Sequence, residues 1–217
     1  LRGAMVLRHC TVKAKAVVYE GSVIGDGTIV GEGAIIHANV KIWSGKKIEP
    51  GAIIKNSVIW GSQGRRILFG QHGVTGMINI DLTSEFCAKL GAAFGTILSK
   101  GALVVFNRDP HRGSRTLKLA VTSGLPSTGV HIADLGVQPA PVARYFTFIS
   151  NAAAVVHVRL SPFDERVVNI QFMNQHGLNI NKATERQIEG NFFREDFRRV
   201  YIDEVGSIND VTDVVEQ

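Results

Sequence analysis

The sequence predicts a β plus α/β chain: a left-handed parallel β-helix, then a three-layer α/β domain with a mixed, largely parallel sheet. Three observations lead there. Aliphatic residues recur every six positions from Val6 to Ile54. The period stops at a polar string, SQGRR, over residues 62–66. Beyond it, short apolar runs alternate with segments of helical spacing, the pattern of strands joined by crossover helices.

The six-residue positions are Val6, Val12, Val18, Ile24, Val30, Ile36, Ile42, Ile48 and Ile54. They fit neither the period of a helix nor that of a lone strand. Hexapeptide repeats mark a parallel β-helix with three six-residue sides to a coil, so this run makes about three coils. Each aliphatic side chain points inward and stacks on its equivalent one coil away. Small residues follow four positions later at Ser22, Thr28, Ala34 and Ala52. Gly25, Gly27, Gly31, Gly33, Gly45 and Gly51 are expected at the turns between sides, some with positive φ. His37 lies inside the repeat and reads as a surface or coil-lining residue. The GDGTIVGEG string is not a phosphate loop, because it lacks G-x-x-x-x-G-K-[ST] and a strand–helix context.

In the second half, Asp81 to Ser84 supplies helix-starting side chains, and Phe86, Leu90, Ala93 and Ile97 follow helical spacing. Residues 102–106 (ALVVF) read as a buried strand and residues 114–124 as a helix closing near Gly124. Strands follow over residues 130–135, 153–158 and 167–172, and a charged amphipathic helix over 182–200. The expected organisation is a β-helix over 1–62, a connector over 63–67, an α/β domain over 68–205 and the start of a linker over 206–217.

Composition narrows the function classes. Hydrophobic residues are 45 % and charged residues 20 % of 217, which excludes a disordered chain, a collagen and a coiled coil. The net charge of +5 comes from no block of like charges, so no nucleic-acid partner is expected. The mixed string REDFRR over residues 194–199 reads as a solvated helix face with i,i+4 pairing. No apolar run approaches the ~18 residues of a membrane span. Cys10 and Cys87 stand in no metal spacing, and a reduced cytoplasmic setting fits them; Cys87 reads as core. The start at Leu1 rather than Met is what a piece of a longer protein would show.

Two family resemblances rest on particular strings. Residues 23–61, above all IWSGKKIEPGA and SVIWG, resemble the C-terminal β-helix of sugar-1-phosphate nucleotidyltransferases of the mannose-1-phosphate guanylyltransferase type. That likeness implies a nucleotide-binding domain ahead of Leu1. Residues 68–205 resemble the first domain of the α-D-phosphohexomutases, the phosphomannomutase and phosphoglucomutase group. LFGQHGVTG stands where that family has F-G-T-D-G-x-R-G, and NRDPHRGS where it has G-R-D-x-R-x-S. GVQPAP matches G-x-x-P-T-P, and VVHVRLSPFDERVVNIQF resembles the phosphoserine loop T-A-S-H-N-P-x-x-x-N-G-x-K-F.

A gapless count back from Ile170-Gln171-Phe172 puts Ser161 at the phosphoserine, the expected catalytic residue; aligning Pro162 with the motif proline instead would put Arg159 there, but needs a two-residue insertion. Around it the family's His-Asn-Pro becomes Pro162-Phe163-Asp164, its Lys becomes Gln171, and the Arg of the opening loop becomes Thr75. A phosphoserine carries nearly two negative charges and needs a cationic cradle. His72, Arg108, Arg112 and Arg159 are the candidate substrate- and phosphate-binding residues, with His111 beside them and Arg166 able to fold back. His157 reads as a satisfied core histidine. No D-x-D-x-D loop occurs, so no metal site or other cofactor is expected here, although the resemblance implies Mg²⁺ for the full-length protein. The implied function is a part of a nucleotide-sugar biosynthesis protein with a sugar-phosphate mutase-like module. The alternative is a non-catalytic pseudo-mutase for sugar-phosphate sensing or oligomer assembly. Implied partners are a mannose- or glucose-phosphate-class sugar phosphate, the rest of the chain and a second copy in a homo-oligomer.

Overall fold

The computed structural model describes residues 3–55, 57–58 and 67–211. The chain divides into two compact units, Leu1–Ile67 and Leu68–Gln217. The connector expected over 63–67 lies outside the described residues except for Ile67, as does most of SVIWG.

In the first unit nine two-residue strands follow one another: Met5–Val6, Thr11–Val12, Val17–Val18, Val23–Ile24, Ile29–Val30, Ile35–Ile36, Lys41–Ile42, Lys47–Ile48 and Ile53–Ile54, β1 to β9. They form three parallel sheets, β1-β4-β7, β2-β5-β8 and β3-β6-β9. Each residue pairs with the one 18 positions on, as Val6 with Ile24 and Ile24 with Ile42. The chain therefore returns to the same sheet every third strand. The six-residue aliphatics from Val18 to Ile54 fill the interior with Ala34, Val40 and Ala52, all of them buried. Ser22 and Thr28 join this second inward row.

The corners follow a stricter rule than the glycines announce. Gly3, His9, Lys15, Gly21, Gly27, Gly33, Asn39, Gly45 and Gly51 all have positive φ, again six residues apart. Gly25 serves a different need: a Cβ there would lie 2.5 Å from Ser44 N of the next coil. His37 is exposed, with its ring beside Tyr19.

The second unit opens with a hairpin, β10 (Phe69–Gly70) and β11 (Gly73–Met77), followed by α1 (Ser84–Ile97), β12 (Leu103–Arg108) and α2 (Arg112–Gly124). Next come β13 (His131–Val137), α3 (Ala140–Ile149), β14 (Ala154–Leu160), β15 (Val167–Asn174), α4 (Lys182–Arg194) and β16 (Ile208–Asp210). The sheet order is β10-β11-β15-β14-β12-β13-β16. The β12, β13, β14 and β16 strands run parallel, while β10, β11 and β15 join by antiparallel pairs.

Alternate strand residues face two layers. Val104, Phe106, Val156, Ile170 and Phe172 pack under α1, α2 and α4. Val105, Ala133, Leu135, Val155 and Met173 pack under α3 through Ala143 and Phe146. The α1–α2 crossing is backbone against backbone: a Cβ on Gly91 would collide with Val121 O, and one on Gly124 with Ala88 O. Cys87 is fully buried in this layer, and burial pushes its thiol up to about 12, so it is inert core.

Three expectations are corrected here. The linker expected over 206–217 is not one at its start, since β16 extends the sheet beside β13; residues 212–217 lie outside the described residues. The helix expected over 182–200 ends at Arg194, because Glu195 turns left-handed with φ 55°. The string 194–199 therefore does not pair with itself along a helix. Glu195 reaches Lys89 of α1 at 2.9 Å, and Arg198 donates to Gly95 O, Leu98 O and Thr128 O, closing the end of α1.

Candidate functional site: a cleft at the ends of three parallel strands

From β12 the chain crosses through α2 to β13 on one side, then through α3 to β14 on the other. Such a reversal leaves a crevice outside the carboxyl ends of the strands. A cleft of about 540 Å³ lies there, between the ends of β12, β13 and β14 and the start of α3. Pro139 caps α3 without a side-chain bond, so this helix end adds its partial positive charge.

Asp109 holds the geometry. One carboxylate oxygen accepts from Leu160 N at 2.6 Å and the other from His111 N at 3.0 Å. Asp109 N in turn donates to Val158 O at 3.1 Å. The loop after β12 is thus pinned to the end of β14, the residue before Ser161. Arg108 and Arg159 also line the cleft and outnumber the Asp109 carboxylate two to one. The cleft favours an anion.

Ser161 is the first residue after β14 and is half-buried. Its N–H donates to Val167 O at 2.8 Å, and its Oγ accepts from Phe163 N at 3.2 Å. His157, Arg159 and Ser161 stand at alternate positions and share the sheet face that α3 covers. Arg159 is half-buried, and its Nε is shut from solvent with no partner among the described residues. Asn169, opposite Arg159 on β15, is buried with its Nδ2 likewise unpartnered.

The other candidates spread out. Arg108 Nη1 donates to Asp109 O at 2.8 Å. His72 meets the serine loop through Phe163, with ring centroids 5.7 Å apart. Arg112 is exposed at the first turn of α2 and does not line the cleft. His111 caps that helix, its Nδ1 accepting from Gly113 N at 3.1 Å, so it serves the backbone first. Arg166 does not fold back on Ser161. It grips Asp164 through Nε at 3.0 Å and Nη2 at 2.9 Å, and this guanidinium holds the Asp164 carboxyl down at about 2.

His157 is more than core. It is 4 % exposed, yet it lines the cleft. Its Nδ1 lies 3.0 Å from Asn107 Oδ1, and Asn107 Nδ2 donates to Gln138 O at 2.8 Å. Burial, then the charge of Arg159, push the imidazole down to about 4, against the pull of Asp109. The two-residue spacing from Arg159 was the available signal for His157. Asn107 and Asn169 gave none.

Among the described residues no three His, Cys, Asp or Glu side chains cluster to hold a metal ion. The donor set here does not fit the implied Mg²⁺. No helix among them is long and apolar enough to cross a membrane.

Residues 66–199 match the profile of phosphoglucomutase/phosphomannomutase, alpha/beta/alpha domain I. The chain belongs to this family. It is 36 % identical over 147 residues to a phosphoglucomutase/phosphomannomutase of Thermococcus kodakarensis, covering 65 % of this chain and 32 % of that one. It is 32 % identical over 133 residues to a phosphoglucosamine/phosphogalactosamine mutase of Sulfurisphaera tokodaii, covering 61 % and 29 %. The crystal structure of a phosphoglucomutase/phosphomannomutase family protein from Burkholderia thailandensis superposes with a TM-score of 0.58 at 20 % identity. It covers 67 % of this chain and 33 % of that one, a likeness of fold alone. This member of the family thus spans about a third of the length of the relatives it matches.

Proposed function

We propose that this chain supplies the first domain of a sugar-phosphate mutase. Ser161 carries the phosphoryl group, and the cleft beside it receives an anionic sugar phosphate. The observation that carries this reading is the fixed junction of Ser161 with a cationic cleft, held by Asp109. In the first step the bond from phosphorus to Ser161 Oγ breaks as a substrate hydroxyl oxygen bonds to phosphorus, and the hydroxyl proton passes through solvent to the freed Ser161 Oγ. In the second, Ser161 Oγ bonds to the other phosphorus of the bisphosphate as that phosphorus–oxygen bond to the sugar breaks, and the serine proton passes to the sugar oxygen. Little covalent chemistry falls to the protein, so positioning and cationic stabilisation govern the rate. Arg159 is the guanidinium placed to do this, while His72 and Arg108 shape the approach and Arg112 stands further out. Mannose or glucose phosphate is the proposed substrate class, and any Mg²⁺ would be held outside these residues.

Four finer proposals go with it. The coil of β1 to β9 is a left-handed hexapeptide β-helix, supported by the six-residue period and the 18-residue register. It belongs to a nucleotidyltransferase of the mannose-1-phosphate guanylyltransferase type, which rests on the likeness of residues 23–61 alone. The protein works in the cytoplasm as a homo-oligomer.

A pseudo-mutase is the second reading, and one observation favours it: Arg166 is committed to Asp164, which leaves the serine loop without a free cation of its own. The test is interconversion of mannose 6-phosphate and mannose 1-phosphate by the complete protein, with Mg²⁺ and a hexose bisphosphate primer. Turnover that Ser161→Ala abolishes supports the mutase. Binding of mannose 1-phosphate without turnover supports the pseudo-mutase.

A further inference from the structure

A chain of hydrogen bonds fixes the state of His157. The Gln138 carbonyl only accepts, so the side-chain group of Asn107 facing it at 2.8 Å is Nδ2. Asn107 therefore turns Oδ1 toward His157 Nδ1, 3.0 Å away, and Oδ1 only accepts. Nδ1 carries the proton. With the imidazole pushed down to about 4 by burial and by Arg159, with Arg144 adding to it and Asp109 opposing, the ring is neutral at pH 7. Nε2 is then a bare lone pair. Nothing among the described residues donates to it, and the ring lines the cleft.

Two residues along the same face stands Arg159, a guanidinium that only donates and that also lines the cleft. Its Nε is shut from solvent, so the charged end of the guanidinium is what a ligand oxyanion would meet. The two backbones are roughly 7 Å apart, the repeat of one strand face. Neither group belongs to the pattern that the rest of the loop resembles: Asn107 stands at the Gly of G-R-D, and Arg159 at the Thr of T-A-S.

We propose that the cleft reads its ligand through two groups at once. Arg159 takes an oxyanion, and Nε2 of His157 accepts the proton of a hydroxyl on the same molecule. The ligand class is a hydroxylated phosphate ester, not a bare phosphate or a carboxylate without hydroxyls. His157 is a specificity residue here, and Asn107 the positioning residue that fixes its tautomer. This rests on the reading of the cleft as a sugar-phosphate site.

The experiment compares mannose 1-phosphate with inorganic phosphate by calorimetry on the complete protein. His157→Phe keeps ring volume and loses the acceptor, so it weakens mannose 1-phosphate by about tenfold and moves inorganic phosphate less than about twofold. Arg159→Gln weakens both. Equal loss of both probes in His157→Phe, loss of neither, or no binding of either by the native protein overturns the proposal. A measurement on the unmutated protein guards against misfolding: mannose 1-phosphate shifts the Nε2 nitrogen resonance of His157 while Nδ1 stays protonated. An unmoved Nε2 in the bound state overturns it too. Phosphoryl transfer through Ser161 with no response at His157 would sink this inference and spare the mutase. Discrimination by His157 without transfer would do the reverse.

Discussion

Asp109→Asn tests the pin that sets the cleft. The native carboxylate accepts from Leu160 N at 2.6 Å and from His111 N at 3.0 Å. Asparagine keeps one acceptor and presents an N–H to the other amide. The half-buried Leu160 amide is the more costly to orphan. Hydrogen bonds to a charged group contribute about 1.5–3 kcal/mol each, so the variant should lose about 2 kcal/mol. With a urea slope of about 2 kcal/mol per molar, that lowers the unfolding midpoint by about 1 M. Amide exchange gives a local readout. Where opening of the β14 end governs exchange, Leu160 N–H should exchange about 30-fold faster, since 1.4 kcal/mol is tenfold. Asp109→Ala loses both acceptors and should cost about 3–4 kcal/mol. An asparagine variant within about 0.5 kcal/mol of native, with Leu160 still protected, would mean that the Asp109 carboxylate does not hold the end of β14.

The remaining predictions concern the two cores and acid. Burial lowers the His157 imidazole from its ordinary 6.5 to about 4, so the unfolded chain takes the proton first as pH falls. The stability in question is full above pH 6.5 and is lost, by about 3 kcal/mol, as pH falls through 4. Urea titrations across that window should show the slope, and His157→Phe should flatten it. Gly124→Ala would place a Cβ against Ala88 O and 2.8 Å from Ala92 N, costing about 1–3 kcal/mol by overpacking. Gly190→Ala meets nothing within 4 Å and should stabilise α4 by about 1 kcal/mol, so thermal melts of the pair should move in opposite directions. In the coil, Ile36→Ala removes a fully buried side chain and should cost about 2–5 kcal/mol by chemical denaturation.

What the sequence displayed depended on how local the cause was. The coil repeats one environment every six residues, so its inward row stood out by count. Its corners did not, because His9, Lys15 and Asn39 take the same left-handed turn as the glycines without their signature. α3 went unread because Pro139 and Pro141 crowd its start and carry no helix signature, although a proline in the first turn gives up no helical hydrogen bond. Helix α4 was read too long because nothing in Glu195 announces a left-handed residue. At the site, motif likeness singled out Ser161, Arg108 and Asp109; Arg108 and Asp109 line the cleft, and Ser161 follows Leu160, which also does. It could not show that Arg166 spends its charge on Asp164, or that His157 is held by Asn107. Those pairings join residues brought together by loop shape and by adjacent parallel strands. A period-two reading of β14, which puts His157, Arg159 and Ser161 on one face, was the nearest the sequence came to the cleft.

The most direct measurement is the site of phosphate itself. The complete protein would be incubated with isotopically labelled hexose 1,6-bisphosphate, digested, and its peptides weighed. Label is expected on Ser161, absent from Ser161→Ala and transferable to mannose 6-phosphate. Protein that binds the sugar phosphate but takes no label, or takes it on another residue, would contradict the assignment of Ser161 as the phosphoryl carrier.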